Sequence, residues 1–181
     1  MCISVLREHF RFFRKPFVMA SELHNELCLR AAKYLKSNGF GVCFDDRFQA
    51  VTPTGEIPDV MGFRNNVSCL IEVKVSRSDF LADKKKKFRG SPELGMGDWR
   101  FYLCPSDLIK AEELPEGWGL LYAKPKTIKA IHGWPANTQW INCPFESNSQ
   151  AERSYMYSAL RRMEIKGHLS AVYEKLEVIK V

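Results

Sequence analysis

Three residues stand out for what their side chains could do together. Asp59 follows a proline in Ile57-Pro58-Asp59-Val60, and Glu72, Val73 and Lys74 come after the twelve residues 60–71. Strand residues two apart share a face, so Glu72 and Lys74 point the same way while Ile71, Val73 and Val75 fill the other. A short turn between two strands would bring the Asp59 carboxylate within a few ångströms of Glu72. Two converging carboxylates repel unless a cation lies between them. Magnesium, or manganese in its place, suits that position: it takes oxygen ligands, keeps several waters and accepts one or two carboxylates plus a phosphate. A cation held there would acidify its water and stabilise charge on phosphorus. Lys74 beside it would orient the attacking water or neutralise developing charge. These are the parts that phosphodiester hydrolysis needs. The competing reading makes Glu72 and Lys74 the solvated face of an antiparallel strand and Asp59 a turn residue. Against it stands the apolar run Cys69-Leu70-Ile71, which describes a buried strand, where charges need a reason.

The elements that must position these groups follow from periodicity. Leu23, Leu27, Ala31, Tyr34 and Leu35 recur at helical spacing across 21–38, and Gly39 supplies a stop. Residues 41–51 read as a strand, Pro53-Thr54-Gly55 as a turn, and 57–63 and 67–76 as two further strands, the last the most apolar of the chain. A lysine-rich helix is predicted over 78–89, ending at Gly90, and then a loop with Gly95 and Gly97 that has room to move. Strands are expected at 99–104, 118–123 and 127–132. After a polar break at 144–150, Ser149 and Glu152 have capping-box spacing. They open a helix with Ala151, Tyr155, Ala159 and Met163 on one face, stopped by Gly167; 168–181 is a further helix or strand. The order predicts an α/β fold with a mixed central sheet.

The stretch from Ile71 to Phe80, with Ala82-Asp83-Lys84 after it, resembles the MmcB-like DNA repair proteins of the PD-(D/E)XK nuclease superfamily. The likeness continues through Arg100-Phe101-Tyr102-Leu103 and from Leu114 to Leu120, covering roughly residues 23–132. The resemblance implies one nuclease-like domain spanning 1–181, with a restriction-endonuclease-like core in which a mixed central β-sheet is flanked by helices. It places the catalytic positions at Asp59, Glu72 and Lys74, with Asp59 and Glu72 as ligands of Mg²⁺ or Mn²⁺. Many superfamily members add a glutamate from the first helix; Glu22 and Glu26 are the candidates, and Glu26, bordering the Leu23/Leu27 face, is preferred. The function implied is metal-dependent hydrolysis of DNA in repair, recombination or phage-related metabolism. The alternative is a nucleic-acid-binding module that keeps the fold and cuts nothing, and a third reading is an adaptor that merely shares it. A homodimer is compatible with the chemistry, since many such nucleases need two sites to cut both strands.

Charge and composition agree with a polyanionic partner without demanding one. The net charge is +6, and each phosphate contact by Lys or Arg would release a counterion. Lys84, Lys85, Lys86, Lys87 and Arg89 form the densest basic run, read either as a solvated helix face or as backbone-phosphate contacts beside the active strand. Asp79 and Asp83 would cap that helix or pair with its lysines. Six cysteines lie too far apart in sequence for a CxxC knuckle, and Cys28, Cys43, Cys69 and Cys104 sit in apolar patterns, which points to a reducing cytoplasm. No stretch has the roughly 18 apolar residues of a membrane helix. Residues 1–18 read as a basic arm, with Met19 as an alternative start, and 147–181 as a helical extension. His9, His24, His132 and His168 read as surface or satisfied histidines. The four tryptophans read as packing residues rather than stacking platforms for bases, and Arg153, Arg161 and Arg162 as a basic or solubilising face.

Overall fold

The computed structural model describes residues 22–175; the expected arm at 1–18, the start at Met19, the helix opening at Ser21 and the last residues of the 168–181 segment lie outside them. The order of the main elements is α1 (Glu22–Ser37), β1 (Val42–Asp45), β2 (Val60–Arg64), β3 (Val67–Val73), α2 (Arg77–Asp83), α3 (Lys87–Gly90), β4 (Trp99–Pro105), β5 (Gly119–Ala123), β6 (Ile128–His132) and α4 (Ser149–Ile165). Six strands form one sheet in sequential order β1 to β6. β3 pairs with β4 and β4 with β5 in parallel, and the remaining neighbours are antiparallel. The α/β class with a mixed sheet flanked by helices is therefore the architecture of the protein.

β3 is buried along its whole length, and its period of two divides the core. Cys69, Ile71 and Val73 pack with Leu27, Ala31 and Leu35 of α1 and with Phe101, Leu103 and Trp140. Leu70 faces the other layer, with Phe80 of α2, Met96, Tyr102 and Tyr155 of α4. Both faces are thus closed. A charge on β3 has no solvated side to occupy.

Several expected elements change in extent. The 41–51 strand contracts to β1, and Asp59 precedes β2 instead of lying in it. The lysine-rich helix is two short helices joined by a turn at Lys84–Lys86, where Lys85 N and Lys86 N bond to Ala82 O and Asp83 O. Asn148, not Ser149, caps α4: its side chain accepts from Ala151 N at 2.9 Å. Glu152 makes no capping box. It turns inward and accepts from Ser68 Oγ at 2.7 Å and Gly97 N at 2.9 Å. Ala151, Tyr155 and Ala159 are buried on the predicted face, whereas Met163 is exposed. The glycine loop is tied down, for Met96 is fully buried and Met96 N donates to Glu56 at 2.6 Å. Beyond α4, Leu169–Tyr173 forms a 3₁₀ turn.

The tryptophans pack as expected. Trp99, Trp134 and Trp140 meet edge-to-face or near it, and Trp118 stacks on Tyr102 with centroids 4.4 Å apart. Among the described residues no helix is long and apolar enough to cross a membrane.

Candidate active site

The register of β2 on β3 pairs Val60 with Ile71, and Asp59 immediately precedes β2 at the end of the ladder beyond which β3 carries Glu72. The Asp59 carboxylate is anchored by Val73 N, which donates to Oδ2 at 2.8 Å. Its Oδ1 lies 3.4 Å from His24 Nε2 on α1. Burial pushes the Asp59 carboxyl up, but the contact with His24 and the charge of Lys74 outweigh it and hold the group below its ordinary value.

Glu72 and Lys74 share the face that the period-two reading assigns them, and both are almost fully buried. Lys74 Nζ lies 3.0 Å from Glu72 Oε2 and 3.2 Å from Asp83 Oδ1. Burial would deprotonate such a lysine. The charges of Glu72, Asp59 and Asp83 reverse that and raise it above its ordinary value. Lys74 is thus a committed cation that senses both carboxylates of the pair.

The helices after β3 add a second tier. Asp83, at the end of α2, is wholly buried and accepts from Tyr102 Oη at 2.7 Å, Arg89 Nε at 2.7 Å and Lys86 Nζ at 2.8 Å. Arg89 reaches Glu56 Oε1 at 3.1 Å and Glu72 Oε2 at 3.3 Å, with its guanidinium 4.5 Å from the Trp118 ring centroid. Glu56, Glu72 and Asp83 therefore meet Lys74, Lys86 and Arg89, three carboxylates against three cations. A buried set of this kind holds together because each charge is matched.

This arrangement corrects the reading of the basic run. Arg89 has 2% of its side chain exposed and is spent on buried carboxylates, and Lys86 bends back to Asp83 and Glu72. Lys84, Lys85 and Lys87 remain on the surface. Lys84 Nζ sits 4.8 Å from the Phe80 ring centroid. Asp83 pairs with lysine as one of its expected roles, and Asp79 lies in the first turn of α2, where Ser76 is the cap.

The helix-1 glutamate is not brought to the site. Glu26 is exposed and pairs with Arg30 at 3.3 Å, and Glu22 is exposed as well. The α1 side chain that reaches Asp59 is His24, which sequence reasoning passed over. The signal available was its position three residues before Leu27 and four before Cys28, in line with the buried stripe, whereas Leu23 is exposed.

The donors fit a hard divalent cation. Glu72 Oε1 is buried and has no hydrogen-bond partner among the described residues, an expensive state for a carboxylate oxygen. Asp59 Oδ1 lies beside it on the His24 side, 3.4 Å from His24 Nε2. These two oxygens would hold Mg²⁺ or Mn²⁺, which take carboxylate and water ligands.

No protein-family profile matches the chain, and no curated protein does. Among solved structures, a protein of unknown function from Silicibacter pomeroyi superposes with a TM-score of 0.50 at 25% identity. The match covers 83% of this chain and 92% of that one. The α/β class thus recurs in a protein of similar extent.

Proposed function

We propose that this protein is a metal-dependent nuclease of the PD-(D/E)XK class that hydrolyses phosphodiester bonds in DNA, in a reducing cytoplasm. The observation that carries the reading is the Oε1 of buried Glu72, unpartnered among the described residues, on the strand whose Val73 N anchors Asp59 and on the same side as cationic Lys74. A purely structural ion-pair cluster has no use for a desolvated carboxylate oxygen left open.

The bound cation would supply Lewis acidity toward a phosphate oxygen and a more acidic water. The chain does the rest. Val73 N fixes the rotamer of Asp59, and Lys86 and Arg89 hold Glu72 by its other oxygen, so neither ligand must reorganise. Lys74 presents a fixed positive charge at the edge of the pair, where it would orient water or offset charge on phosphate. Lys84, Lys85 and Lys87 would meet backbone phosphates without reading sequence.

One observation favours a second reading, a DNA-binding module that does not cut. Glu72 Oε2 already has three cationic neighbours, Lys74, Lys86 and Arg89, which could satisfy the cluster without metal. The test is cleavage of labelled single-stranded, duplex and branched DNA with Mg²⁺, Mn²⁺ or EDTA, using wild type, Asp59→Ala and Lys74→Ala. Metal-dependent cutting that falls on the order of a hundredfold or more in both folded variants supports the enzyme. Binding without cutting transfers the assignment to the module, and the absence of both ends the nuclease reading.

A further inference from the structure

We propose that His24, Cys28 and Asp46 form a tetrahedral site for a thiophilic divalent cation of the zinc type, separate from the Asp59/Glu72 pair, with Asp59 as the outer carboxylate that orients His24. The proposal does not depend on the nuclease reading.

His24 and Cys28 are four residues apart on α1, so both project from one flank of the helix. Asp46, in the turn that follows β1, meets that flank. One ligand atom from each lies within 4.8 Å of the other two. The individual distances are 3.6 Å from Cys28 Sγ to His24 Nδ1 and 3.8 Å from His24 Nδ1 to Asp46 Oδ2. Tetrahedral zinc with ordinary bond lengths requires about 3.5 Å between sulfur and nitrogen and about 3.3 Å between nitrogen and oxygen. Along these two edges the shifts needed are a few tenths of an ångström, and because Cys28 Sγ also lies 4.0 Å from His24 Nε2 the imidazole must turn as well to aim Nδ1 at the ion.

The charges also close. One thiolate, one carboxylate and one neutral imidazole neutralise a dication, and binding would release the Cys28 thiol proton to solvent. A sulfur donor disfavours magnesium and favours zinc or cobalt, so the two neighbouring sites would sort different metals.

The second, independent feature is on the far side of the ring. Nδ1 is the ring nitrogen nearer Cys28 and Asp46, and Nε2 lies 3.4 Å from Asp59 Oδ1. A metal-bound histidine typically donates its other ring nitrogen to a carboxylate, which fixes its tautomer and orientation. Asp59 stands where that partner belongs. Access is through the part-exposed His24 and Asp46, since Cys28 is fully buried; the fourth position would be left to water or substrate.

The test is titration of the chelator-stripped full-length protein with Co²⁺, read by the near-ultraviolet thiolate-to-cobalt charge-transfer band and the visible bands of tetrahedral cobalt, followed by displacement with Zn²⁺. Wild type should show both sets of bands. Cys28→Ser should lose the charge-transfer band, while Cys69→Ser, a change at another buried cysteine, keeps it. Asp46→Ala alters a part-exposed turn residue and should weaken binding at least tenfold in a protein with unchanged circular dichroism. Asp59→Asn should keep the band but bind about 10–100-fold more weakly, as loss of an outer partner does. Absence of the band in wild type, its persistence in Cys28→Ser, or unaltered affinity in Asp46→Ala would each overturn the site.

Discussion

Asp83 and Arg89 are joined by two hydrogen bonds in the interior, Nε to Oδ2 at 2.7 Å and Nη2 to Oδ1 at 3.2 Å. Neither is solvated, with 0% and 2% of the side chains exposed. This pair folds the lysine-rich segment back under the sheet and sets Arg89 against Glu72. Breaking it by removing one partner leaves an uncompensated buried charge. Arg89→Met is expected to cost about 3–5 kcal/mol, read from the denaturant midpoint at constant slope. A loss below about 1 kcal/mol would mean that water reaches Asp83 and that the cluster is not the keystone described.

The same pair sets an acid limb. The first influence on Asp83 is burial, which raises its pKa, but Arg89, Lys74 and Lys86 prevail and hold the carboxyl below its ordinary 3.8. A depressed carboxyl contributes stability in full above the unfolded value and loses it as pH falls through the folded one. Glu56 and Glu152 act in the opposite sense: burial raises both, so each favours the folded state more as it becomes protonated. Wild type should therefore lose the Asp83 contribution only below about pH 3.8, and Asp83→Asn should show a lower plateau near neutrality with a flatter acid limb. Melting temperatures at a series of pH values decide this; parallel curves for the two proteins would contradict it.

Exposed Lys84, Lys85 and Lys87 are available to phosphate, in contrast with Lys86 and Arg89. Replacing all three by alanine should leave stability within roughly 0.5 kcal/mol, as surface changes do. On duplex DNA the slope of log affinity against log salt should fall by roughly two to three. Fluorescence anisotropy across a salt series gives that number. An unchanged slope would place the nucleic-acid surface elsewhere.

Glu152 joins the start of α4 to the loop at Gly97 and to Ser68 on β3. Glu152→Ala would strand the buried Gly97 amide, while Ser68 Oγ keeps Asp98 Oδ2 as an acceptor at 3.0 Å, and should cost about 1–3 kcal/mol, whereas Glu152→Gln keeps an acceptor and should cost less. Gly97 itself has φ +85°, and a Cβ there would lie 2.7 Å from Leu70 Cβ. Gly97→Ala should be destabilising by at least about 1–3 kcal/mol from the backbone alone. Thermal melts of the three variants give the order; equal melting of Glu152→Ala and Glu152→Gln would remove the hydrogen bonds from the account.

Much of the framework was written in the order of residues. Alternation in 67–76 was enough to put Glu72 and Lys74 on one face and Val73 on the other, because the strand period is a local property of the backbone. The helix of Leu27, Ala31 and Leu35, the apolar character of β3, and the α/β order came from the same local rules.

The rest depended on where distant segments meet. Nothing local distinguishes Arg89, which is buried against Glu56, Glu72 and Asp83, from Lys87, which faces water; only the packing of α2 and α3 over β4 decides it. The helix expected at 78–89 breaks where Lys86 takes extended backbone, φ −65° and ψ 139°, and the two short helices that result bring Asp83 and Arg89 to one buried point. Glu26 had the residue type the site wanted, yet the rotation of α1 against the sheet carries it to solvent and brings His24 to Asp59. Sequence determined which groups could do chemistry and which strand carries them, since those follow from covalent periodicity. Tertiary structure alone decided which charges lose their water and which partners they keep, since desolvation and ion pairing are set by contacts between residues far apart in the chain.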